Sequence, residues 1–316
     1  MKKSTKRFLF LTGTAIAGIY AYNKFIDATA TRKQLLSDEE GSYYAWKNGE
    51  IYYTKTGNGS PLVLLHDANP TASSAEWLNI QHKLEQEHTV YTLDLLGCGR
   101  SEKPSIEYTN FLYVQLIHSF IKDVIGEPAI VTASGFTSSF VIMANHMDSD
   151  LFEKIILINP VSMKNLTIIP DKHSKLKMRI MELPFIGTFI YNILTNRHVI
   201  DRNFRKHCYV KPQFISSKLE DMYYESAHIN GSNGRYLYSS IIGNYLNNGI
   251  AHAVEKLTTP TLIIGSRELK GCEQTLHTYE LLNEELNVIR VNNGSLCPHM
   301  EIPEKIASIM EEFIQE

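Results

Sequence analysis

The stretch Ile130-Val131-Thr132-Ala133-Ser134-Gly135-Phe136-Thr137-Ser138-Ser139-Phe140 decides the fold. A β-branched apolar run, the composition of a buried strand, breaks at a pair of small residues, and an apolar pattern with helical spacing follows. The stretch therefore reads as strand, sharp turn and helix. Two roles are open to Ser134. Its hydroxyl is either held up at the strand end as a nucleophile or N-caps the helix by accepting a free backbone N–H.

Outward from this junction, strand and helix patterns alternate. Tyr43 to Lys47 and Glu50 to Thr54 flank Asn48-Gly49, two β-prone aromatic runs around a tight-turn signal. Pro61 to His66, Thr89 to Asp94 and Lys154 to Asn159 are continuous apolar runs of the kind buried parallel strands need. Helical patterns lie between them; one places Tyr113, Leu116, Ile117, Phe120, Ile121 and Val124 on a single face before Gly126. Residues 161–250 carry helical segments and no comparable strand, and the alternation resumes at Pro260 to Gly265 and Asn287 to Val291. The expected fold is α/β, a doubly wound and mostly parallel sheet over residues 43–160 and 251–316, interrupted by a helical cap over 161–250.

With 316 residues, 43% hydrophobic and 21% charged, the chain can bury a full core. A net charge of -3 gives no broad positive field, so nucleic acid is not an expected partner. The one dense basic cluster, Lys2, Lys3, Lys6 and Arg7, precedes an uncharged run from Phe8 to Tyr22. Residues 1–30 thus read as an N-terminal membrane anchor, which Lys24 extends by snorkelling, or as a signal segment cut after Ala28-Thr29-Ala30. The basic residues hold the N-terminus inside, leaving the globular part at the cell membrane's outer face, or secreted if the segment is removed. Cys98, Cys208, Cys272 and Cys297 form no metal-ligand or disulfide framework, although Cys272 and Cys297 meet if the loops after the last two strands lie side by side. No cofactor and no metal is expected.

Gly59 to His66, Trp77, the run Asp94-Leu95-Leu96-Gly97-Cys98-Gly99-Arg100-Ser101 and Pro260 to Gly265 resemble, in order and spacing, the cap-bearing α/β-hydrolase superfamily. The resemblance covers roughly Glu50 to the C-terminus, less the cap. It implies the α/β-hydrolase fold and a serine, aspartate or cysteine nucleophile, assisted by an acid, a histidine and an oxyanion hole, usually for ester or related hydrolysis.

Carried onto this chain, the family's G-x-S-x-G motif puts the nucleophile at Ser134, with Thr132 and Phe136 where glycines stand. The oxyanion hole falls to the backbone N–H groups of Gly135 and Ala68, and Asp67 replaces the usual glycine after His66. Asp67 either sits against the forming oxyanion or turns away to cap the next turn. The acid maps to Glu268. In the family's C-terminal ending, Pro298, His299, Glu301, Pro303 and Glu304 match, while the base position holds Leu296. Leucine takes no proton, so the relay needs a loop that brings His299 to Ser134. Asn69-Pro70-Thr71 is similar to haloalkane dehalogenases, which need a carboxylate nucleophile that position 134 does not supply.

Two functions follow: hydrolysis of a small or apolar ester from Ser134, or a non-catalytic member whose pocket binds a ligand or partner. The cap segment Leu183 to Tyr191 offers Phe185 and Phe189 on one helix face and Ile186 and Ile190 on another, one expected on the sheet domain and one lining the pocket of an apolar molecule. Protease added to intact cells should degrade the globular domain; protection would reverse the orientation read from the basic cluster.

Overall fold

The computed structural model describes the backbone of residues 3–37 and 41–316, and side chains from residue 13 onward within those ranges. The basic residues Lys2, Lys3, Lys6 and Arg7 therefore have no described side chains.

A long N-terminal helix, α1 (Lys3–Thr29), precedes the hairpin of β1 (Ser42–Trp46) and β2 (Gly49–Thr56). Then come β3 (Ser60–Leu65), α2 (Leu78–Leu84), β4 (His88–Leu93), α3 (Asn110–Phe120), β5 (Ala129–Ser134), α4 (Thr137–Met147) and β6 (Phe152–Ile158). Helices α5 (Met163–Leu166), α6 (Lys172–Glu182), α7 (Ile186–Leu194), α8 (Arg197–Asn203), α9 (Ser217–His228) and α10 (Arg235–Ile242) form the cap. The core resumes with α11 (Ala251–Glu255), β7 (Thr261–Ser266), α12 (Cys272–Leu282), β8 (Asn287–Val291), α13 (Pro298–Glu301) and α14 (Pro303–Gln315).

The strands make one eight-stranded sheet in the order β1-β2-β4-β3-β5-β6-β7-β8. The pairs β1–β2 and β2–β4 are antiparallel, and every pair from β4 to β8 is parallel. Alternate residues serve opposite faces. Val63, Leu65, Val131, Ala133, Ile155, Leu157 and Ile263 join the cluster containing Phe120 and Phe140 of α3 and α4. Leu62, Leu64, Ile130, Ile156, Leu262 and Ile264 pack with Ile80 and Met310 of α2 and α14. Strands buried on both faces need apolar residues at consecutive positions, which is why these runs show no polar alternation.

The loops after β3, β5, β6, β7 and β8 leave from the same edge of the sheet, the carboxyl ends where doubly wound sheets form their crevice. The loop after β4 leaves from that edge too and braces it. Asp94 accepts from Ser74 N (2.7 Å), Arg100 N (2.8 Å) and Arg100 Nε (2.8 Å), tying the Gly97-Cys98-Gly99 turn to the turn that carries Glu76. Burial alone would raise the Asp94 carboxyl, but Arg100 outweighs it and holds it down to about 2. Gly99 has φ +48, and a Cβ there would lie 2.2 Å from Asp94 Oδ2, so the turn admits only glycine.

The cap departs from expectation in one respect. Neither face of α7 lines the cleft described below. Phe189 meets Tyr22 of α1 edge to face at 5.4 Å, while Ile190 and Tyr191 pack with Ala227 and Tyr238 of α9 and α10. Tyr191 also donates to Ala227 O at 2.8 Å, which closes α7 against α9. The second half of α1 is thus docked on the cap, with Asn23 Nδ2 donating to Phe185 O at 3.0 Å.

Removing Asp94 should be severe, because it leaves the buried Arg100 charge without its carboxylate and takes the acceptor from the Ser74 and Arg100 N–H groups. For Asp94→Ala we expect a loss of about 3–5 kcal/mol in chemical denaturation. In the wild type the Asp94 contribution is present above the unfolded carboxyl value, 3.8, and is lost as pH falls through about 2.

Candidate functional site

Ser134 is the last residue of β5 and pairs with Ile158, so the chain is still extended there. The turn comes one residue later. Gly135 has φ +53, the left-handed conformation of a strand-to-helix elbow, and its N–H remains in the ladder, donating to Ile158 O at 3.0 Å. The position that projects into the crevice is therefore occupied by glycine. A Cβ built on Gly135 would lie 2.6 Å from Asp67 Oδ1, so the Asp67 carboxyl fills the space a nucleophile's side chain would take.

Asp67 neither turns away nor caps its own turn; Asn69 Oδ1 does that by accepting from Thr71 N at 3.0 Å. Instead Asp67 Oδ1 accepts from Phe136 N at 2.7 Å, and the Ala68 N–H also stabilises the carboxylate. These are the N–H after the elbow residue and the N–H from the β3 loop, the two donors of an oxyanion hole. The hole expected from Ala68 and Gly135 is thus built from Ala68 and Phe136, and it holds the protein's own carboxyl. Burial, and next the charge of Glu76, push Asp67 up to about 7 against those two N–H groups.

Ser134 points the other way. Its hydroxyl donates to Glu76 Oε1, and His299 Nε2 binds the same oxygen at 2.9 Å. Glu76 Oε2 accepts from Asp67 N at 3.3 Å and from the Tyr223 hydroxyl of α9 at 3.4 Å. Glu76 is 2% exposed and Ser134 3%. Burial on its own would raise the Glu76 carboxyl, but the His299 hydrogen bond and the attraction of that imidazole outweigh it, so it lies below its ordinary value. An ionised Glu76 puts a proton on His299 Nε2, and a nitrogen that donates to Glu76 cannot accept the proton of Ser134. His299 Nδ1 is buried without a partner among the described residues, and Trp77 stacks on the ring at 4.5 Å.

The expected relay is therefore not assembled. Ser134 and His299 are brought together, but through Glu76 rather than to each other. Glu268 is exposed and accepts from Asn293 N at 2.8 Å, bracing the loops after β7 and β8 without touching His299. Nor does Ser134 cap α4, since its hydroxyl is committed to Glu76. Leu296 sits in the crevice, its loop held because Asn159 Nδ2 donates to Ser295 O and Leu296 O, both at 2.9 Å.

A cleft of about 500 Å³ opens here, lined by Asp67, Gly135, Phe136, Asn159, Cys272 and Leu296 among others. Ser134 and His299 are not part of its wall. Among the described residues no group of three or more His, Cys, Asp or Glu is placed to hold a metal. The cysteines are free: Cys272 lies against Asn159, and the Cys297 thiol hydrogen-bonds Cys208, not Cys272.

Sequence reading missed Glu76, Asn159 and Tyr223. Glu76 stands at the start of an amphipathic segment, where an acidic residue normally faces solvent and favours the helix dipole. The available signal was its place directly before Trp77, inside a run of small residues that the fold buries. Removing Glu76 strands four donors, so Glu76→Ala should cost about 3–5 kcal/mol, against about 1 kcal/mol for Ser134→Ala, both read by chemical denaturation. The folded protein keeps the Asp67 proton to about pH 7, while the unfolded chain releases it near 3.8. Asp67 therefore weakens the fold increasingly as pH rises between those values and by a constant amount above them. Asp67→Asn should gain on the order of 4 kcal/mol relative to wild type between about pH 4 and 8, measured by melts across that range.

A sequence profile of the alpha/beta hydrolase family matches residues 62–309. The chain is 36% identical over 74 residues to the 2-hydroxy-6-oxo-6-(2'-aminophenyl)hexa-2,4-dienoic acid hydrolase of Metapseudomonas resinovorans, covering 23% of this chain and 26% of that protein. It is 43% identical over 60 residues to a haloalkane dehalogenase of Agrobacterium fabrum, 19% of each. These matches span about a quarter or less of the relatives' length. In structure it is similar to a serine hydrolase involved in carbazole degradation, with TM-score 0.71 and 18% identity over 87% of this chain and 98% of that one. It is also similar to a bacterial membrane phospholipase A, with TM-score 0.68 and 18% identity over 100% and 98%. With the sheet order, the crevice and the profile in agreement, the chain belongs to the alpha/beta hydrolase family.

Proposed function

We propose that this protein uses the hydrolase crevice to hold a small, mainly apolar molecule against the Asp67 carboxyl, and that Ser134 serves the core rather than attacking a substrate. One observation carries the reading: Gly135 stands at the elbow, and Asp67 occupies both the room of the missing side chain and the N–H groups that would bind an oxyanion. Phe136, Val161, Met163, Leu269 and Leu296 supply apolar wall, and Asp67 is the polar group at the turn. A site of that kind favours a ligand with an apolar body and one hydroxyl or amine for the carboxyl.

A second reading keeps hydrolysis, the activity named for the relatives, but moves the reactive group. A carboxyl that exchanges its proton near pH 7 at a cleft wall suits general acid and base work. In this reading an ester's water is activated by Asp67, not by Ser134.

The N-terminal segment supports attachment to a membrane. No helix among the described residues is long and apolar enough to cross a membrane. The second half of α1 is held by the cap, so the helix suits the bilayer surface better than a span.

Fluorophosphonate labelling and p-nitrophenyl butyrate hydrolysis by wild type, Ser134→Ala and Asp67→Asn separate the possibilities. We expect no Ser134-dependent label in folded protein. Hydrolysis lost only in Asp67→Asn supports the carboxyl-base reading, and absence of turnover throughout supports ligand holding. Label or turnover that vanishes in Ser134→Ala would overturn both.

A further inference from the structure

From the cap surface beside α1 we infer a second membrane contact: the α6–α7 corner rests on an anionic lipid surface together with the N-terminal helix. The inference rests on the reading of α1 as a membrane segment. Leu176 and Ile180 are one turn apart on α6 and are 57% and 40% exposed. Leu183, Phe185 and Ile186 continue the patch around the corner, and Ile16 and Tyr20, one turn apart on α1, extend it. The Tyr20 and Phe185 rings lie 6.3 Å apart, so the cap surface and the helix surface are continuous.

The corner is built to present Phe185. Ile186 N donates to Pro184 O at 2.7 Å across a residue with φ +61 and ψ −56, a strained γ-turn that glycine would adopt far more readily. A phenylalanine held there touches Tyr20 but keeps 57% of its surface in water, so most of its apolar area is left uncovered by the chain itself.

Charge and continuity identify the occupant as lipid. Helix α6 carries Lys172, Lys175, Lys177 and Arg179 against the single acid Glu182, and all four cations are exposed. Cations beside exposed Leu, Ile and Phe are the composition of a helix lying in an anionic interface. The α1 backbone continues from this patch toward the apolar run Phe8-Leu9-Phe10-Leu11 and the basic residues before it. One helix thus joins the patch to the segment read as membrane-seeking.

Trp46 and Trp77 are 7% and 0% exposed, so Phe185→Trp in the full chain adds a surface reporter over a buried background. With vesicles of mixed phosphatidylglycerol and phosphatidylcholine, the added emission should shift to the blue and fall roughly by half with lipids brominated high on the acyl chain, the depth of an interfacial helix. Charge reversal by Lys175→Glu with Arg179→Glu should weaken that quenching. Wild-type protein on the same vesicles should show slowed hydrogen exchange over residues 172–194, a readout independent of the tryptophan variant. Protein that floats with vesicles while the added tryptophan stays unquenched and exchange over 172–194 is unchanged would overturn the cap contact and leave the α1 reading standing. Failure to float would overturn both. A vesicle-independent dimer that shields the added tryptophan would assign the patch to a second copy of the chain and overturn the lipid contact.

Discussion

The site depends on how a buried carboxylate is neutralised. Glu76 is almost without solvent, and an ionised group there is tolerated only if donors replace its water. Ser134, His299, the Asp67 N–H and Tyr223 provide them, one each from β5, α13, the β3 loop and the cap. Glu76 therefore fastens four separate segments at the carboxyl edge of the sheet. The same arrangement commits the Ser134 hydroxyl and His299 Nε2 to one oxygen of Glu76 rather than to each other.

The exchange at the elbow accompanies that commitment. With the turn displaced to Gly135, the elbow itself offers no hydroxyl to the crevice, and the space admits the Asp67 carboxyl. The helix that begins after Phe136 and the β3 loop still present N–H groups, so the family's anion-binding geometry is retained and turned inward. Glu76 nearby raises the proton affinity of Asp67, and the two carboxyls divide their roles by environment: one kept ionised by an imidazole, the other near neutrality at the cleft wall. Asn159 completes the crevice by fixing the loop that brings Leu296 to the cleft wall.

The cap joins the site and the exposed α6–α7 corner through different helices. Helix α9 sends Tyr223 to Glu76 and Ser226 to Gly99 N at 3.1 Å, so it is bonded into the core. Helix α7 packs between α9, α10 and α1, and the corner before it leaves its apolar residues outside. Phe185 and Phe189 share a four-residue spacing but not a fate, because one stands before the helix on a strained turn and the other on the face that α1 covers.

The sequence by itself determined the sheet, the cap's place in the chain and the family, because unbroken apolar runs, glycine turns and helical spacing act within a few residues of each other. It also marked Asp67, Thr132, Phe136 and Leu296 as departures from the family's pattern, Thr132 and Phe136 on the premise that Ser134 stands at the elbow. Which residue occupied the elbow was not legible, since Ser134 and Gly135 are adjacent and only the backbone register with Ile158 decides where the strand ends. The partners of Ser134, His299 and Glu268 were not legible either. Those bonds link positions far apart in the chain, 58 residues from Ser134 to Glu76 and 223 from His299 to Glu76, and a side chain's partner at that separation is set by packing of the whole sheet and cap.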